Sequence, residues 1–126
     1  MSLCPFCNLD RSKLIVESEV AFALLDAFPV TEGHTLIVPR RHVTSIFQLS
    51  PQDLAALWAM VGEVRQRLQQ NLAFDGVNVG VNDGSAAGQT VEHAHIHLIP
   101  RINGDVQDPR GGVRNIIPSK ARYWEN

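Results

Sequence analysis

A chain of 126 residues, 44% of them hydrophobic, is long enough for one domain with a true core and too apolar to remain disordered. Its formal net charge of −2 offers no global attraction for nucleic-acid polymers, so any anion site has to be built locally. No run approaches the ~20 apolar residues of a membrane span. The start, MSLCPFCNLD, lacks the basic end and apolar run of a signal peptide, so the expectation is a cytoplasmic protein with no membrane partner.

Cys4 and Cys7 come first, as CPFC. In a reducing compartment such a pair suggests metal binding or thiol redox chemistry. A thioredoxin-type motif follows a strand and opens a helix, and this pair has no strand before it. Leu14–Val16 and Ala21–Leu25 read as two strands joined at Glu17–Glu19. DAFPVTEGH is a loop, and HTLIVPRRH is a third strand stopped by Pro39 and followed by Arg40, Arg41 and His42. LSPQDL starts a helix, with Ser50 as N-cap, Pro51 at the first helical position and Asp53 at the positive end. Leu54, Leu57, Trp58, Val61, Val64 and Leu68 recur at helical spacing and are assigned to its core face. GVNVGV, Gly76 to Val81, is a fourth strand, and NDGSAAGQ is a small-residue loop. After Arg101 the composition turns to Gly, Pro and Arg with little periodicity, which reads as a tail or lid over 104–126 on a core of 1–103. Strands in hairpin order with one long helix predict an α+β fold on an antiparallel sheet.

TVEHAHIHLIPR places His93, His95 and His97 at alternate positions, three of only five histidines in the chain. Alternation reads as a strand, and period two puts the three imidazoles on one face. A decorated surface strand would explain one histidine better than three behind a glycine-rich loop. A metal hydrolase is a second reading, since histidines at i and i+2 can share an ion that lowers the pKa of bound water. It requires a further ligand and a base, for which Glu92 and Asp83 are the candidates, and Glu92 points away from the row. The third reading is nucleophilic catalysis, in which a neutral imidazole attacks phosphorus and splits one displacement into two. The preceding loop favours this reading. Gly84 and Gly88 allow backbone amides near a phosphate, and Gln89 and Thr90 add side-chain donors.

GQTVEHAHIHLIPR resembles the signature of the histidine triad (HIT) family. AFALLDAFPVTEGHTLIVPRRHV and VNVGVNDGSAAGQT resemble the family's upstream strand–loop–strand and its loop before the triad. The resemblance runs from about Cys4 to Arg101. It implies a five-stranded antiparallel sheet with one long and one short helix, usually in a homodimer, and chemistry at the α-phosphate of a nucleotide derivative. A lone small sheet with an exposed edge also favours pairing.

By that resemblance His95 is the nucleophile, His97 contacts the phosphate, His93 orients the site and His34 supports the triad by hydrogen bonding. Asp26 matches a ribose-binding position. Asn82, Gly88, Gln89 and Thr90 match positions around the phosphates, while Phe6 and Leu24 border the base. A subset of the family carries a structural zinc, for which Cys4, Cys7, His42 and His93 would be the ligands, a normal closed tetrahedral shell. No catalytic cofactor is implied. Arg40, Arg41 and Arg101 stand either near the phosphates or on a solvated rim, and the tail arginines Arg110 and Arg114 are candidates for distal phosphates. The expected function is hydrolysis of an adenosine dinucleoside polyphosphate through a nucleotidyl-histidine. Phosphoramidase activity and a nucleotide-binding regulatory module with little turnover are the alternatives.

Overall fold

The computed structural model describes residues 4–125. Five strands, β1 (Leu14–Glu17), β2 (Ala21–Leu25), β3 (Thr35–Pro39), β4 (Gly76–Val81) and β5 (Ile96–Arg101), form one sheet in the order β1-β2-β3-β5-β4. Every neighbouring pair is antiparallel. The expected sheet is thus present. The long helix α1 spans Pro51–Gln69, and Ser50 caps it by accepting the Asp53 amide at 3.1 Å. In place of a second short helix the described residues form 3-10 turns, such as Arg11–Lys13 and Ile46–Gln48.

Period-two burial separates two apolar layers. Ala21, Ala23, Ile37, Ile96 and Leu98 face α1 and pack with Leu57, Met60 and Val64. Phe22, Leu24, Leu36 and Val38 face the other way and are covered by Phe6, Leu9 and Leu14. The N-terminal segment therefore closes the sheet's second face and is brought close to the histidines. One residue departs from the sequence reading of α1. Trp58 is not core but 42% exposed, and Met60 is buried instead. The stripe facing the sheet is centred on Leu57, Met60 and Val64, and position 58 lies just past its edge.

Two features bring the site residues together. The β2–β3 register ends at Leu25↔Thr35, and the Asp26 amide donates to the His34 carbonyl at 2.9 Å, so Asp26 and His34 sit side by side. The β3–β5 register sets Leu36 opposite His97, which leaves His34 diagonal to His97 on the same face. Gly33 makes this entry possible. Its φ is +88°, and a Cβ there would lie 2.6 Å from the Leu72 side chain.

The tail folds onto itself through 3-10 turns at Gly112–Ile116 and Pro118–Lys120. Gly112 lies against Asn78 of β4. Among the described residues no helix is long and apolar enough to cross a membrane.

Candidate active site

β5 begins at Ile96, so only His97 of the three histidines lies within the strand. The three imidazoles share one side of the chain, opposite Ala94, Ile96 and Leu98, but differ in their surroundings. His93 is fully buried and turned toward the N-terminal segment, whereas His95 and His97 are partly open and stack edge to face with centroids 5.0 Å apart. The cause is local: the Ala94 amide donates to the Val43 carbonyl at 2.8 Å, which anchors residues 93–95 to the segment after β3 before the β3–β5 ladder begins.

Hydrogen bonds assign the protons on the open rings. The Nδ1–H of His95 donates to the His93 carbonyl at 2.9 Å, since a carbonyl can only accept. In the neutral ring this leaves Nε2 as a lone pair. The Val30 amide donates to Nδ1 of His34 at 3.0 Å, so the proton of neutral His34 sits on Nε2, which lies 2.9 Å from Nδ1 of His97. His97 then carries its own proton on Nε2. The arrangement thus sets an imidazole lone pair beside an imidazole N–H. Burial lowers the pKa of His34 and of His97, and for His97 the charges of His95 and His34 act in the same sense. The Asp26 carboxylate, 3.4 Å from Nε2 of His34, opposes both shifts. Both rings are therefore neutral at pH 7, as the hydrogen-bond chain requires.

Asp26, His34 and His97 also bring ligand-type atoms within 4.8 Å of one another. The proton on His34 Nε2 occupies that space, so the cluster is a hydrogen-bond chain rather than a cation cage. Asp26 holds the Phe28 amide at 2.9 Å through its other oxygen.

The second cluster joins Cys4, Cys7, His42 and His93 and can hold a metal ion. His93 Nε2–H donates to the Pro39 carbonyl at 2.8 Å, which leaves Nδ1 as the lone pair. That nitrogen lies 3.3 Å from Cys4 Sγ, 3.6 Å from Cys7 Sγ and 3.1 Å from His42 Nδ1, and Cys7 Sγ lies 3.2 Å from His42 Nδ1. Ligands ~2.0–2.3 Å from a shared tetrahedral ion stand about 3.3–3.8 Å apart. The donor set fits in kind, with the two His42 spacings, 3.1 and 3.2 Å, slightly short of that range, and the bond to Pro39 is the kind of outer contact that orients a ligating imidazole. Burial also lowers the pKa of His93, against the opposing effect of the Pro39 bond.

Asn82 lies just beyond β4 and lines a cleft of about 260 Å³ with His34, His97, Gly80 and Val113. A neighbouring cleft of about 490 Å³ continues past Val30 and Val113 toward Arg101. Gly88 and Thr90 are exposed, with Gly88 in the left-handed region at φ +93°. The loop closes on itself: Ala87 and Gln89 amides donate to the Gly84 carbonyl, the Gly88 amide to Ser85, and the Gly84 amide to Gln89 Oε1. The amides of Gly84, Ala87, Gly88 and Gln89 are thus engaged within the loop. Gln89 lies on the loop with its side chain on backbone groups.

Phe6 sets its ring against both His93 and His95, with centroids 5.6 and 5.2 Å away, and Leu24 is buried beneath it. The arginines are engaged elsewhere. Arg40 bonds Glu17 and the Ser18 carbonyl, Arg41 the Gln48 carbonyl, and Arg101 both Asp105 and Asn78. In the tail, Arg110 holds Asp108 and lies 4.4 Å from the Trp124 ring, and Arg114 holds the Lys120 carbonyl beside Tyr123. The groups missed by sequence reasoning are the Val30 amide and the carbonyls of Pro39 and Val43. Every residue carries such groups, so no side-chain pattern announces them.

Residues 10–104 match the HIT domain, and the chain belongs to the HIT family. Among its relatives is a bis(5'-adenosyl)-triphosphatase of Dictyostelium discoideum, 35% identical over 78% of this chain and 66% of that protein. Another is the asymmetrical bis(5'-nucleosyl)-tetraphosphatase of Schizosaccharomyces pombe, 33% identical over 77% of this chain and 53% of that protein. A zinc-bound histidine triad family protein from Mycobacterium smegmatis superposes with a TM-score of 0.69 at 38% identity, covering 75% of this chain and 69% of that one.

Proposed function

We propose that the protein hydrolyses an adenosine dinucleoside polyphosphate at the α-phosphate through a covalent nucleotidyl-His95 intermediate. The observation that carries this is the proton arrangement: Nδ1 of His95 is tied to the His93 carbonyl, and the chain from Val30 through His34 leaves the His97 proton on Nε2. The relatives named for such hydrolysis support the substrate class.

In this reading Nε2 of His95 attacks the α-phosphorus. A P–N bond forms while the P–O bond to the leaving group breaks, and the leaving oxygen departs with the electron pair. His97 donates to a phosphate oxygen as charge builds there, and Thr90 and Asn82 supply further donors. Water then cleaves the P–N bond, releasing the nucleoside monophosphate and free His95. Asp26 would bind the ribose hydroxyls, with Phe6 and Leu24 bordering the base. Two displacements give net retention at phosphorus, whereas direct attack by a metal-bound water would invert it.

The test is intact-protein mass after millisecond mixing with an adenosine substrate carrying a good leaving group. The quench must be non-acidic, because the P–N bond to histidine is acid-labile. An adenylate on the wild type that is absent from His95→Ala supports the mechanism. Net inversion at phosphorus overturns it. The phosphoramidate alternative is favoured by one observation: Arg101, Arg110 and Arg114 are all engaged internally, which suits a leaving group without distal phosphates.

The same proposal makes Cys4, Cys7, His42 and His93 the ligands of a structural zinc, whose chemistry is to pin the N-terminus beside His95 rather than to activate water. It also treats the chain as one HIT domain, 1–103 plus the tail, in a cytoplasmic homodimer. β4 lies at the edge of the sheet. A mass of one chain by light scattering would overturn the dimer.

A further inference from the structure

The Gln89 side chain uses both ends. Its Oε1 accepts the Gly84 amide at 2.8 Å, and its Nε2 donates to the Thr44 carbonyl at 2.8 Å and to the Val91 carbonyl at 3.0 Å. An amide nitrogen has two hydrogens, so its donor capacity is filled. The oxygen closes the loop whose other end is the bond from the Gln89 amide to the Gly84 carbonyl, 3.1 Å long.

Thr44 belongs to a short segment with three attachments. His42 enters the metal-type cluster, the Val43 carbonyl holds the Ala94 amide between His93 and His95, and the Thr44 carbonyl holds Gln89. A second glutamine fixes that segment, because Gln48 Oε1 accepts the Thr44 and Ser45 amides, each at 3.1 Å, and the Thr44 hydroxyl at 3.2 Å. The phosphate loop and the nucleophile segment are thus referenced to one piece of backbone, and Gln89 is the loop's side-chain connection to it.

We infer that Gln89 is a positioning residue: it latches the Gly84–Thr90 loop to Thr44 and so places Thr90 and Asn82, without itself touching the phosphate. This rests on the active-site reading above for what the loop serves, but not for the latch itself. The resemblance alone had put Gln89 among the phosphate-binding positions.

The test is Gln89→Met, which keeps length and removes the polar contacts. In the nucleotide-free protein the Gly84 amide should exchange with solvent about tenfold faster, the effect of losing one net hydrogen bond. With substrate, kcat should fall about tenfold while KM and the melting temperature change little. That split is not expected of a residue that only stabilises the fold. Should the variant fail to fold, a crystal structure of the wild type with AMP decides: the contacts to Gly84, Thr44 and Val91 persist under the proposal. Unchanged Gly84 exchange with weakened AMP binding, or Gln89 swung onto the AMP phosphate, overturns it. The exchange measurement needs no turnover, so failure of the hydrolase reading and failure of the latch give different results.

Discussion

Two imidazole clusters lie side by side under Phe6, whose ring touches His93 of one and His95 of the other. One, His34–His95–His97, ends in a lone pair on His95 and an N–H on His97, both on partly exposed rings. The other, Cys4–Cys7–His42–His93, turns its donor atoms on one another. Under the proposed function the same side chain serves reaction in the first and cohesion in the second. What separates them is which ring nitrogen a backbone group occupies. A carbonyl takes Nδ1–H of His95 and leaves Nε2 free, while a carbonyl takes Nε2–H of His93 and leaves Nδ1 to the cysteines.

The comparison is tested most severely at His95. His95→Ala should lower kcat by on the order of 10⁴-fold or more with little change in the melting temperature, as removal of a nucleophile does. A comparable loss of stability would mean that the ring belongs to the structural cluster. His34→Leu comes next. It breaks the proton chain to His97, and kcat should fall roughly 10²-fold, the usual scale for loss of a positioned proton donor. Retained activity would show that His97 sets its own tautomer.

On the other side, the wild type should carry the proposed zinc and Cys4→Ser should not, as measured by atomic emission. The substitution should also cost about 3 kcal/mol, seen as roughly a 10 °C drop in melting temperature, with the surviving folded fraction still able to form the adduct. If adduct formation is abolished while stability holds, the two clusters are not separate in role.

Acid provides a smaller and more gradual test. Native His34 and His97 titrate below the ordinary histidine value of about 6.5, so under that pH the unfolded chain binds more protons than the native one. Stability contributed by these rings is complete above pH 6.5. It declines as pH falls toward their lower native values, by up to ~1.4 kcal/mol per pH unit for each ring. Urea midpoints from pH 7.5 to 5.5 should show this in the Cys4→Ser background, where metal release does not contribute, and His34→Leu should flatten the slope. The smallest effect is expected in the tail. With both side chains engaged by the tail's own groups, Arg110→Ala combined with Arg114→Ala should leave KM for a dinucleoside polyphosphate within about twofold. A tenfold rise would return them to the distal phosphates.

Much of the sheet was legible because its signals are local. Leu14–Val16, Ala21–Leu25, the strand ending at Pro39 and Gly76–Val81 have the runs and stops expected of strands, and Ser50-Pro51 marks the helix start with no tertiary help. Trp58 was misassigned because a stripe at helical spacing has an edge, and only the opposing sheet determines which side of it is covered. The histidine row keeps its alternation but not the full strand expected of it. Alternation implies a strand only where a neighbouring strand is there to pair, and before Ile96 the backbone is instead tied to Val43.

By itself the sequence determined the composition of both clusters: five histidines and two cysteines at spacings that period-two and turn chemistry can bring near one another. It also carried the resemblance that pointed to nucleotide chemistry. Tertiary structure alone decided the proton on each ring, the burial of His93 beside a partly open His95 and His97, and the engagement of Gln89. The physical reason is that these depend on backbone carbonyls and amides of Val30, Pro39, Val43, Thr44 and His93. Such groups are the same in every residue and acquire identity only from position in space.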